Sequence, residues 1–244
     1  MDAETLSEAL EAFSDAKAAR KTGRQVGTLR GVRGVASGDI ARIAAAAWHE
    51  APPELPRDEA ELSHLFSTAW EDGLVAIGLL GALVPDDPEG VLHVGMDWAE
   101  RVDDVATADA LGWIVLGGAV AAGAGHVRAL YDHRRPEVRR MALMVGMALT
   151  PTPLEGPSAA PLRERMGMKR IQWVDTAASG ALSDLTDRFL RDEAPSVRKA
   201  MRRVLRSWAK SDPAAVVQWG EAHRTGVPKM LRPEIDRARR KVAT

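Results

Sequence analysis

The chain has 244 residues, no cysteine, 45% hydrophobic and 27% charged residues, which excludes thiolate chemistry, a disulfide-stapled scaffold and a compositionally disordered chain. Net charge is −1, but residues 1–121 hold 9 Lys and Arg against 21 Asp and Glu, whereas residues 122–244 hold 24 against 13. Halves of −12 and +11 indicate either one region facing a polyanion or two solvated faces that attract each other.

Met1-Asp2-Ala3-Glu4 has no basic segment leading into an apolar run, so no signal peptide is expected. With no cysteine to oxidise, a reducing, cytoplasmic setting is expected. Leu6, Leu10 and Phe13 keep helical spacing, and residues 1–22 are expected to form an N-terminal helix. Residues 22–36, rich in Gly and Arg, are expected to form a loop, with Ser37 and Asp39 as cap candidates for the next helix. Pro52, Pro53 and Pro56 break the chain before a helix starting near Arg57, and Pro85 and Pro88 break it again.

From Ala110 to Val127 the chain is rich in Gly and Ala and carries no charge. Gly and Ala drive membrane insertion poorly, so a buried, closely packed helix pair is expected there and no membrane span. Residues 150–161 hold four prolines and form the longest expected loop; Pro195, Pro213 and Pro228 mark later helix starts. Strand signals are scarce. Helices joined by short punctuated turns predict an all-α chain of antiparallel neighbours in a single domain, 1–244. Pro136-Glu137-Val138-Arg139-Arg140 recurs as Pro195-Ser196-Val197-Arg198-Lys199, each with an Asp just upstream (Asp132, Asp192). This repeat favours a HEAT-like solenoid over a generic bundle.

No phosphate loop, no Gly-x-Ser-x-Gly and no His-x-x-x-His pair occurs, so neither metal nor cofactor is expected. Three segments stand out instead. They are Met96 to Val105 followed by Leu111-Gly112, Arg134 to Leu143, and Ser196 to Pro213. In this order they resemble the HEAT-like-repeat alkylpurine DNA glycosylases of the DNA alkylation repair family. That family has a Trp-rich turn running into Val-Asp and Leu-Gly, an Arg-Arg helix start, and a helix of the form Val-x-Lys-Ala-x-x-x-x-Leu-Arg-x-x-Ala-Lys-x-Asp-Pro. Gly31-Val32-Arg33 resembles its N-terminal Gly-Val segment. The resemblance covers residues 25–240 or so.

The resemblance implies a curved all-α solenoid with a basic concave face. The implied partner is duplex DNA, damaged or of unusual structure, and a monomer with no membrane role is expected. The implied reaction is hydrolysis of the N-glycosidic bond of N3- or N7-alkylated purines, in which a carboxylate steadies the oxocarbenium sugar and positions water. The family's catalytic Asp falls on Asp103 or Asp104, its Trp near Trp98, and its Arg on Arg140. Arg203 stands where active members carry a second cleft Trp. A cation there disfavours a cationic base, so binding without catalysis stays open beside excision, and a protein-binding scaffold is a third reading. Arg134, Arg135, Arg139, Arg198, Lys199, Arg202, Arg203 and Arg206 are candidate DNA contacts, the last five on one helix at i, i+4 spacing. Asp103 and Asp104 could equally cap a helix, Trp98 could be a packing residue, and the cations could be a solvated face.

Overall fold

The computed structural model describes residues 2–151 and 173–243. They form an all-α fold with no strand among them; a lone parallel bridge joins Gly31 to Ala69. The first helices are α1 (Ala3–Glu11), α2 (Ala16–Val26), α3 (Ser37–Glu50), α4 (Glu59–Thr68), α5 (Trp70–Ala82) and α6 (Pro88–Ala99). A continuous helical rod follows, made of α7 (Val105–Ala110), a π-helical stretch (Leu111–Leu116) and α8 (Gly117–Ala121). Then come α9 (Pro136–Met144), α10 (Ser179–Phe189), α11 (Pro195–Ser211), α12 (Pro213–Ala222) and α13 (Arg232–Val242). Sequential neighbours pack in pairs, α4 on α5 and α12 on α13, and α9 packs on α11. One connected apolar core reaches from Ala3 to Ala238.

Several elements differ from the sequence expectation. The N-terminal helix splits, because the Asp15 carboxylate accepts the Lys17 and Ala18 amides and starts a new helix. That helix runs through Thr22 to Val26, which were expected in the loop, since its Ala, Lys, Arg and Gln residues tolerate Gly23. Ser37 is the first helical residue rather than a cap, and Asp39 pairs with Arg42 one turn on. The helix expected near Arg57 starts at Glu59. Ala110 to Val127 is not a helix pair, because one rod continues to Ala121 before the chain turns. Pro228 lies in a turn, and Pro233 occupies the start of α13 instead. Residues 152–161 of the expected Pro-rich loop lie outside the described residues.

The other proline signals coincide with helix starts: Pro88, Pro136, Pro195 and Pro213 all sit in the first turn of a helix. The two copies of the repeat both open helices, with Val138 and Val197 buried beneath them. Gly112 explains the Leu-Gly step in packing terms. A Cβ on Gly112 would lie 2.2 Å from the Met141 carbonyl oxygen, so the rod and α9 meet backbone to backbone. Gly34 has φ +80°, and a Cβ there would lie 2.3 Å from the Ala19 nitrogen and the Asp15 oxygen. Only glycine lets the segment after α2 fold back against it.

Candidate nucleic-acid interface

The short helix α7 carries a carboxylate at each end. Asp104 caps its N-terminus, accepting the Ala106 and Thr107 amides at 2.8 and 2.9 Å and the Thr107 hydroxyl at 2.6 Å. It also accepts Arg30 Nη2 at 3.0 Å and Trp70 Nε1 at 3.4 Å. Its side chain is 0% exposed, and five donors fill its lone pairs. Asp103 takes the Thr28 hydroxyl at 2.9 Å and the Leu29 amide. Both acids therefore hold the segment Thr28–Arg30, whose Arg30 also reaches the Phe66 carbonyl at 3.0 Å. The neighbouring Arg33 forks onto buried Asp72, and buried Glu71 accepts the amides of Arg33, Gly34 and Val35. The Arg-rich segment after α2 is thus tied down almost residue by residue.

Trp98 is fully buried, stacked on Phe66 with ring centroids 4.3 Å apart, and donates Nε1–H to Ser63 Oγ at 2.9 Å. It is a core residue and lines no cleft. Trp208 is likewise buried and donates to Ser179.

Asp109, at the other end of α7, was not singled out by the sequence. Arg140 forks onto it with Nε–Oδ1 2.6 Å and Nη2–Oδ2 2.7 Å, while Arg203 Nη1 reaches Oδ2 at 3.1 Å. Arg140 also donates to the Ser196 carbonyl. The Arg203 guanidinium lies 5.2 Å from the ring centroid of Trp113, one turn along the rod from Asp109. Asp109 retains 18% side-chain exposure. Arg140 and Arg203 therefore converge on Asp109 and not on Asp103 or Asp104. The missed signal was a helical one: Asp109 and Trp113 stand four residues apart. Sequence alone does not show that α9 and α11 both meet that face.

The candidate DNA contacts divide in two. Arg135 donates to the carbonyls of Val102 and Glu100 and closes the C-terminus of α6. Arg139 forks onto Asp192, and Arg198 donates to the Asp192 carbonyl, so the aspartate upstream of the second repeat straps the first repeat to it. Burial alone would raise the Asp192 carboxyl, but Arg139 and the Ala194 amide hold it below the ordinary value. Arg202 and Arg206 both bond the buried carboxylate of Glu234, which Arg237 also reaches. Arg134 and Lys199 are exposed and make no ion pair among the described residues. Lys199, Arg203, Arg206 and Lys210 form the exposed face of α11, opposite buried Val197, Ala200, Met201, Val204, Leu205 and Trp208.

The described residues bring together one set of potential metal ligands, Glu59, His93 and Asp97, whose ligand atoms lie within 4.8 Å of one another. They belong to α4 and α6 and contribute nothing to the Asp109 cluster. No helix among the described residues is long and apolar enough to cross a membrane.

These features define an all-α protein of paired helices with a guanidinium–carboxylate cluster where three helices meet and a cationic face beside it. A family model described as DNA alkylation repair enzyme matches residues 6–235. The chain belongs to that family, and its role is in DNA repair. Comparison with curated proteins and with solved structures gives no match.

Proposed function

We propose that this protein is a duplex-DNA-binding repair protein of HEAT-like architecture, which holds the phosphate backbone along the exposed face of α11 and by Arg134. The supporting observation is the run Lys199, Arg203, Arg206 and Lys210, four outward cations spaced by three or four residues on a 17-residue helix. Two of them, Lys199 and Lys210, have no acidic partner among the described residues. Such a row suits phosphate contacts, which position a duplex without reading its sequence. Binding without base excision is the conclusion the site favours. Asp103 and Asp104 are committed to Arg30, Thr28 and backbone amides. Arg203 covers Asp109 and Trp113 and would repel a cationic alkylated base.

A second reading, excision of N3- or N7-alkylated purines, has one observation in its favour. Asp109 is oriented by Arg140 and is still partly open to solvent. In that reading its carboxylate steadies the oxocarbenium sugar as water adds to the anomeric carbon and the base leaves.

Titrating intact, abasic and branched duplexes across a salt series tests the binding role. Affinity should fall steeply with salt, and Lys199→Ala should lower the log–log slope by about 1. No binding at low salt would overturn the proposal. Incubation with a duplex containing N7-methylguanine should release no free base. Release by the wild type that disappears in Asp109→Asn would replace the first reading with the second.

A further inference from the structure

The basic helix α2 takes no part in the Asp109 cluster, yet it puts a basic surface on the acidic half of the chain. Lys17, Arg20, Lys21 and Arg24 lie at i, i+3, i+4 and i+7, all exposed, and form one ridge. None makes a salt bridge among the described residues, although acids outnumber bases 21 to 9 over residues 1–121. The helix buries no residue of its own, so the ridge is not a by-product of packing. Just past its C-terminus stands Leu29, 92% exposed, the most exposed large apolar side chain among the described residues.

An exposed leucine in a mobile loop would call for no explanation. Leu29 is held from both sides. Its amide donates to Asp103, Thr28 Oγ1 donates to the same carboxylate at 2.9 Å, and Arg30 is clamped to Asp104, Thr107 and the Phe66 carbonyl. The backbone that presents Leu29 is fixed by acids and an arginine that are themselves largely buried. A held backbone that presents an apolar side chain shortly past the end of a helix of unpaired cations matches what a nucleic-acid wedge requires. The cations hold phosphates, and the apolar side chain enters between base steps with no loop left to order on binding.

We propose that α2 and Leu29 form a second DNA contact, in which Lys17, Arg20, Lys21 and Arg24 bind backbone phosphates and Leu29 inserts between bases of a weakly stacked or interrupted duplex. This rests on the duplex-binding reading above, and it gives Asp103 a positioning role in place of a catalytic one. The partner is committed by charge complementarity. A lipid surface would need more apolar area than one leucine offers.

Short duplexes with a central abasic site, each carrying 2-aminopurine at a different flanking position, test it with the full-length protein. The wild type should raise 2-aminopurine fluorescence at one or two positions. Leu29→Ala should abolish that rise and weaken binding to the abasic duplex about tenfold, while intact-duplex affinity changes less than about threefold. Replacing Arg20, Lys21 and Arg24 together by Ala should lower the salt slope by about 2–3. Salt-dependent binding with a rise that survives in Leu29→Ala, or with no rise in the wild type, would overturn the wedge and leave the binding role standing. Absence of any duplex binding would remove both. Capture on phosphatidylserine vesicles that Leu29→Ala abolishes, with duplex structure unchanged, would reassign the surface to lipid.

Discussion

The two ends of α7 carry the same chemical group in opposite settings. Asp104 is 0% exposed and surrounded by five donors, one of them from Arg30. Asp109, five residues on, is 18% exposed and held by two guanidiniums from α9 and α11. The first acid ties the N-terminal helices to the middle of the fold, and the second ties the middle to the C-terminal helices at the surface. An Asp at a helix start and an Asp at a helix end look alike in sequence. Which one can meet a ligand depends on which helices arrive around it.

Removing each arginine–carboxylate link separates the two roles. Arg30→Ala leaves Asp104 charged and buried without its cation and unties Leu29's loop. It should cost about 3–5 kcal/mol in urea unfolding, and a loss below 1 kcal/mol would show that the N-terminal knot is not structural. Asp109→Asn should cost less, about 1–2 kcal/mol, because an amide oxygen still accepts from Arg140 and Arg203 can turn to water. The same variant removes a negative charge beside the cationic face, so its duplex affinity at low salt should rise severalfold. A fall would mean that Asp109 orders that face rather than restraining it.

The smallest effect is expected from pH and concerns the contact of α11 with α13. Burial alone would raise the Glu234 carboxyl, but hydrogen bonds from Arg206 and Arg202 hold it below the ordinary glutamate value. The folded chain therefore binds fewer protons there than the unfolded chain. The contribution is complete above the ordinary range and is lost as pH falls through the folded value, below about pH 4.3. Glu234→Gln should flatten that part of the stability curve, read as unfolding free energy against pH. An unchanged acid limb would remove Glu234 from the set of acids that fix α11 to α13.

Much of the fold was legible in local chemistry. Pro88, Pro136, Pro195 and Pro213 start helices because a first-turn proline forfeits no hydrogen bond, and the buried valines of the Pro-x-Val-Arg repeat lie on the faces that helical periodicity assigns. The first five residues of the loop expected at residues 22–36 are helical, because Gly23 weakens but does not break a run of good helix formers capped by Asp15. Arg140 and Arg203 were legible as a pair only through the family pattern. Their common acid was not, because it lies 31 residues before one and 94 before the other.

The sequence by itself determined an all-α chain, the punctuation of its helices, the charge split between its halves and the family to which it belongs. These depend on residue type and on spacing within a few turns. Tertiary structure alone decided which cations meet a carboxylate from a distant part of the chain: Arg139 is spent on Asp192 and Arg30 on Asp104, while Arg202 and Arg206 share Glu234 and still reach solvent. It left Lys199, Lys210 and the α2 ridge facing water. A guanidinium is free or committed according to whether a carboxylate from a distant helix lies within reach, and chain spacing carries no record of that distance.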